Sequence, residues 1–144
     1  MTSNDHDRVR DEIARLASSK LDGASVDTEY TITSDVETRR IDVAILSGTG
    51  DYAVEVKNRL GDAQTAHTQI QAYADAGFTP VLVLRSEWFE SRYSKDLADA
   101  VLNNCQRAGC EGVVTFDTPT KPTFNIRVGE STPTIRSLFG GVDG

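Results

Sequence analysis

Five side chains within one short stretch could carry out a reaction together: Asp42, Glu55, Lys57, Gln69 and Tyr73. Alternate side chains of an extended strand share a face, so in DYAVEVKNRL Ala53, Glu55, Lys57 and Arg59 line one side and Val54 and Val56 the other. An acid and an amine are thereby neighbours. Asp42 lies in the preceding segment, TRRIDVAIL, whose Ile41, Val43 and Ile45 predict an apolar face that leaves Arg40, Asp42 and Ala44 opposite. Between the two segments Ser47-Gly48-Thr49-Gly50 has the composition of a hairpin turn. With Gly48-Thr49 as a two-residue turn, Asp42 stands across from Glu55 and Arg40 across from Lys57, Cβ atoms about 4.5 to 5.5 Å apart. Facing carboxylates repel unless positive charge lies between them. A hard divalent cation, which takes carboxylate oxygen and keeps several waters, suits that place. A register displaced by two residues instead sets Asp42 opposite Lys57 as a plain salt bridge.

The third piece is helical. In AQTAHTQIQAYADAG, Gln69 and Tyr73 are one turn apart beside an Ala66 and Ile70 stripe expected to face the sheet. Both can hydrogen-bond a phosphate oxygen or an attacking water, and neither competes with carboxylates for a metal. An aspartate, then E-x-K on the next strand, then Q-x-x-x-Y on the following helix resembles the PD-(D/E)XK nuclease superfamily, in particular its RecB-type branch and the small archaeal Holliday-junction resolvases. The resemblance covers roughly residues 8 to 85, with Ile41 in place of the motif's proline, which many members lack. It implies a restriction-endonuclease-like core and hydrolysis of DNA phosphodiester bonds. It also implies a Mg2+ or Mn2+ ion held by Asp42, Glu55 and the main-chain carbonyl of Val56. An acidic residue of the first helix completes the metal site in resolvase-like relatives, a part that falls to Glu12; a solvated Glu12 paired with Arg8 or Arg15 is the plain alternative. Arg40 and Arg59, on the faces of Asp42 and Glu55, are expected to bind the substrate.

These residues need a scaffold, and its elements are legible from periodicity. Val9, Ile13, Leu16, Ala17 and Leu21 predict a helix over 5–21, with Asp5 as N-cap. Residues 22–36 alternate, with Tyr30, Ile32 and Val36 in phase. Gly77 should end the Gln69/Tyr73 helix, and Val81 to Leu84 predict a strand buried on both faces, closing a βαβ unit. Leu97, Val101, Leu102, Cys105 and Ala108 predict a last helix over 91–108, opened by Trp88, Phe89 and Tyr93. EGVVTFD and PTFNIRV then form a hairpin at a sheet edge. The class is α/β: a mixed sheet flanked by helices in the order α-β-β-β-α-β-α with a C-terminal hairpin. Residues 1–144 form one expected domain, with 130–144 a flexible tail or, through Ile135, Leu138 and Phe139, a dimer contact.

Composition bounds the reading. At 144 residues, 38% hydrophobic and 26% charged, the chain is expected to be a cytoplasmic protein without membrane contact. A net charge of −7 disfavours passive binding of nucleic acid by bulk charge. Four lysines against 14 aspartates and 8 glutamates resemble the surface of a protein from a salt-loving organism. Cys105, Cys110, His6 and His67 are too scattered for a zinc site or a four-cysteine iron-sulfur cluster. The expectation is a structure-directed or weakly sequence-specific nuclease with DNA as partner. A homodimer would supply the two sites that symmetric cleavage of two strands needs. The alternative is the same fold kept as a silent nucleic-acid-binding or regulatory module.

Overall fold

The computed structural model describes residues 4–33 and 38–140. Helix α1 (Asp5–Lys20) precedes three strands, β1 (Ser25–Thr33), β2 (Thr38–Leu46) and β3 (Tyr52–Val56). Two helical segments, α2 (Leu60–Ala63) and α3 (Ala66–Asp75), lead to β4 (Thr79–Arg85). Then follow α4 (Glu87–Glu90), α5 (Lys95–Arg107), β5 (Gly112–Phe116), β6 (Phe124–Val128) and α6 (Pro133–Phe139). The strands form one six-stranded sheet in chain order. β1, β2 and β3 pair antiparallel, β3, β4 and β5 parallel, and β6 returns antiparallel along β5. Parallel neighbours need a long crossover, and α2–α3 and α4–α5 supply the two. This is the mixed α/β architecture the periodicities predict.

Both faces of the sheet are covered. Val9, Ile13 and Ala17 of α1 and Ile135, Leu138 and Phe139 of α6 pack with Val43, Ile45, Val54, Val56, Val81, Val83 and Val114 on one side. On the other, Ala66 and Ile70 of α3 and Ala98, Val101 and Cys105 of α5 pack on Leu82 and Leu84. β4 thus feeds both layers by alternation and is buried throughout its interior, as a central parallel strand must be. Gly77 and Gly109, at φ 93° and 107°, end α3 and α5. At the second, Cys110 N donates to the Cys105 carbonyl (2.9 Å) and Gly109 N to that of Gln106 (3.1 Å), the paired bonds of a Schellman motif.

Several expectations are corrected. Asn4, not Asp5, caps α1, its side chain accepting from Asp7 N at 2.8 Å. Leu97 is 45% exposed: the buried stripe of α5 runs through Ala98, Val101 and Cys105, and a residue next to that line is turned about 100° away. Val36 lies outside the described residues. The segment expected to fray holds α6 instead, and Ile135, Leu138 and Phe139 are at most 3% exposed. They dock on the body rather than await a partner. Gly129 permits this return: its φ is 102°, and a Cβ there would lie 2.7 Å from the Glu111 carbonyl oxygen. β6 does stand at the sheet edge.

The correction that matters most for the site concerns Ile41. It packs with Ala44, Ala53 and Tyr73 rather than with Val43 and Ile45. Strand β1 changes sides at the same level, Val26 packing on the α1 face and Tyr30 and Ile32 on the Tyr73 face. Between these halves Glu29 has φ 54°, and the β1–β2 ladder skips from Thr28–Val43 to Tyr30–Ile41. A left-handed residue in a strand rotates the pleat, so strict alternation fails there. Asp42, opposite Glu29, sits on the rotated step.

Candidate active site

The turn between β2 and β3 closes by Gly50 N donating to the Ser47 carbonyl (3.3 Å), with Gly48-Thr49 at its centre. The pairs Val43–Val54, Ala44–Ala53 and Ile45–Tyr52 follow, and the same register extended one step sets Asp42 across from Glu55. The ladder between β2 and β3 does not reach Arg40 and Lys57. Instead the Oδ2 of Asp42 accepts Val56 N at 2.8 Å, so a side chain takes up a main-chain donor. Both acids are buried, Asp42 to 8% exposure and Glu55 to 3%.

Two groups hold Glu55. The Nζ of Lys57 lies 3.2 Å from Oε2, with Lys57 fixed beyond the strand end by its N–H on the Val83 carbonyl (2.9 Å). The Tyr73 hydroxyl lies 2.7 Å from Oε1 and 3.0 Å from the Arg40 carbonyl. Burial, and then the negative charge of Asp42, push the Glu55 carboxyl up to about 7 against the pull of Lys57 and Tyr73. Burial also raises the Tyr73 phenol, helped by the Glu55 charge. One phenolic proton faces two acceptors. When Glu55 is protonated it can donate to the Tyr73 oxygen, leaving the phenolic proton for the Arg40 carbonyl.

The first helix delivers His6. Its Nε2 is 3.0 Å from Asp42 Oδ2 and its Nδ1 3.0 Å from Asp7 Oδ1. The hydrogen bond to Asp42 outweighs partial burial and raises the imidazole to about 9. With a carboxylate at each ring nitrogen, the charged form is the one this geometry favours. The sequence reading set His6 aside, yet it precedes Val9 and Ile13 by three and seven residues, on the buried stripe. That spacing is the signal that could have found it.

The other expected residues are placed as follows. Glu12 grips Arg15 (2.8 and 2.6 Å) and faces a different cleft, lined also by Lys121; it is not brought to Asp42 and Glu55. Arg40 points its guanidinium at Glu29 (3.3 Å) and is largely exposed, contributing its carbonyl to the site. Gln69 is half-buried, and no hydrogen bond of its side chain occurs among the described residues. Arg59 is exposed and joins Asn4, His6, Glu55, Lys57 and Asn58 around an open cleft of about 360 Å³. The buried Oδ1 of Asn58 has no partner among the described residues.

Among the described residues no three His, Cys, Asp or Glu side chains gather as a metal cluster. What the site offers a divalent ion is a carboxylate pair. Asp42 Oδ1 accepts no hydrogen bond among the described residues, and the charge of Asp42 bears on Glu55 strongly enough to raise it. A cation would relieve that repulsion, and main-chain oxygen and water commonly complete such a set. Asp42 Oδ1 is the free oxygen of the pair among the described residues, and an ion there would share Glu55 with Lys57 and Tyr73.

No family model matches the chain, and no curated protein matches it. Among solved structures it is similar to SfsA of Pyrococcus furiosus in complex with Ca2+, at 14% identity and a TM-score of 0.46. The match covers 84% of this chain and 62% of that one, so the chain spans less than two thirds of that protein's length. A likeness at this level carries no assignment. No helix among the described residues is long and apolar enough to cross a membrane.

Proposed function

We propose that this protein is a metal-dependent deoxyribonuclease with a PD-(D/E)XK-type core, structure-directed or weakly specific in its choice of DNA. The observation that carries the reading is the buried Asp42 facing Glu55 across adjacent strands, with Lys57 on Glu55. Asp42, Glu55 and the Val56 carbonyl would hold Mg2+ or Mn2+. Such an ion polarises a phosphate and lowers the pKa of a bound water. Lys57 would orient an attacking water and offset charge developing on the phosphate. Tyr73, fully buried, positions Glu55 rather than touching substrate. Arg59, exposed at the cleft, meets a phosphate group, and the unbonded amide of Gln69 is left for a phosphate oxygen or the water. Local positive charge serves here although the molecule as a whole is acidic.

The test is cleavage of labelled single-stranded, duplex and branched DNA with magnesium or manganese, over a range of salt, by wild type and Glu55→Ala. Loss of cleavage in EDTA and in the variant is expected. Cleavage unchanged by either overturns the mechanism. Calorimetric titration of Asp42→Asn with manganese should show at least a tenfold weaker ion, because one of two carboxylates is gone.

A further inference from the structure

An open cleft of about 630 Å³ lies between α1 and the β5–β6 turn, and the proposed reaction does not use it. From α1 it receives Arg8, Asp11, Glu12 and Arg15, one face of the helix at three- and four-residue spacing. The turn contributes Lys121 between two prolines. Three cations of the lining, Arg8, Arg15 and Lys121, face two acids: Glu12 is gripped by Arg15, and Asp11 Oδ1 accepts Arg10 Nε at 2.9 Å, an arginine that also serves Asp7 and Glu29. Arg8 and Lys121 have no acidic partner among the described residues. In a chain of net charge −7, the charge left over in this groove is positive.

The turn that holds Lys121 is braced from within. Asp117 Oδ1 accepts the N–H groups of Thr118 (2.7 Å) and Thr123 (2.8 Å), and Thr118 Oγ1 donates to the Lys121 carbonyl (3.3 Å). A cation on such a turn meets an anion with little ordering cost.

The groove also adjoins the candidate active site. Asn4 and His6 wall the catalytic cleft, and Arg8 opens the groove half a turn further along the same helix. Arg85 lies between the two regions: it donates to the Asn58 carbonyl (3.1 Å) and to Asp5 (3.4 Å), and its guanidinium stands 5.5 Å over the ring of Phe116, the last residue of β5 before the turn. From His6 to Arg15 the helix advances about 14 Å, or about four phosphates of one strand at 3.4 Å each.

We infer that the groove between α1 and the β5–β6 turn is a binding track for the phosphodiester backbone of DNA, with Arg8 and Lys121 contacting phosphates of the strand that passes over Asp42 and Glu55. This rests on the nuclease reading for its choice of ligand. The track supplies affinity independent of base sequence, since phosphate contacts carry no base information.

The test is fluorescence anisotropy of labelled single-stranded and duplex DNA, in EDTA so that no cleavage intervenes. The variant is Arg8→Glu with Lys121→Glu. Its control is Lys20→Glu with Lys95→Glu, which changes net charge equally at exposed sites outside the groove. The groove variant should bind at least tenfold more weakly, and its slope of log affinity against log salt should be shallower by about 1.5, two contacts at about 0.7 to 0.9 each. The control should keep the wild-type slope. Equal losses in both variants, no loss in either, or no binding by wild type overturns the track. Groove-dependent binding by a protein that never cuts DNA leaves the track standing and sinks the nuclease. Cleavage by wild type with unimpaired binding by the groove variant does the reverse.

Discussion

Replacing Glu55 by glutamine should stabilise the fold while removing the proposed activity. In the folded protein Glu55 gives up its proton near pH 7, against an ordinary value of 4.5, and each factor of ten in that equilibrium is about 1.4 kcal/mol. Ionising it in place therefore costs about 3 kcal/mol. The sign follows from proton counting: between about 4.5 and 7 the folded state holds a proton that the unfolded chain has released, so stability falls as pH rises through that window and levels above it. Glutamine carries no charge and keeps the shape. Its amide nitrogen can donate to the Tyr73 oxygen, the Tyr73 hydroxyl to the Arg40 carbonyl, and Lys57 to the amide oxygen, so every buried polar atom stays bonded. The pull of Lys57 is already contained in that shift, and an amide in place of a carboxyl makes somewhat poorer hydrogen bonds, which leaves about 1 to 3 kcal/mol at pH 8. At about 3 °C per kcal/mol for a chain of this size, the midpoint should rise by about 3 to 9 °C. Thermal unfolding in EDTA from pH 5 to pH 8 measures it, with His6 common to both proteins and cancelling in the difference. A Glu55→Gln protein no more stable than wild type at pH 8, or one with the wild-type pH dependence, refutes the account of the carboxylate pair.

Tyr73→Phe leaves a buried carboxylate and the Arg40 carbonyl short of a donor, so urea unfolding at pH 7 should show a loss of about 1 to 3 kcal/mol; the Glu55 window should also move to higher pH, because the phenol is one of the groups holding that carboxyl down. His6, whose folded-state value is raised to about 9 from 6.5, lends stability that is complete below 6.5 and lost as pH rises through 9. His6→Gln should therefore flatten the stability curve across that window, as read by thermal unfolding against pH. Phe139→Ala empties a site 3% exposed and edge-on to Phe124 at 5.3 Å between centroids; it should cost about 3 to 5 kcal/mol by denaturant titration.

How far the sequence reveals the molecule depends on how local the deciding interaction is. The hairpin register was legible because a two-residue turn ties Asp42 to Glu55 by counting alone. β4 was legible because four apolar residues in a row leave a strand no solvent face. Ile41 was misplaced because the rotation of the pleat is set by Glu29, on another strand and in a left-handed conformation that glutamate seldom adopts. Glu12 and His6 share one helix, and which of them meets Asp42 is decided by how α1 lies across the sheet. That angle is set by packing of Val9, Ile13 and Ala17 against the sheet and against α6, a helix hidden in a tail rich in glycine and small polar residues. Pro133 at the start of α6 was the available signal for it, since proline favours a first helical turn.

Because the strands lie in the sheet in the order they occur in the chain, each ladder joins consecutive segments, and the one between β2 and β3 closes over the short segment 47–51. The repulsion between Asp42 and Glu55 is therefore met when that hairpin closes, ahead of the helix that brings Tyr73. Whatever neutralises the pair, a proton or a divalent ion, should then act on the rate of folding more than on the rate of unfolding. In this sheet the strands that carry the charge conflict are also among the first able to meet.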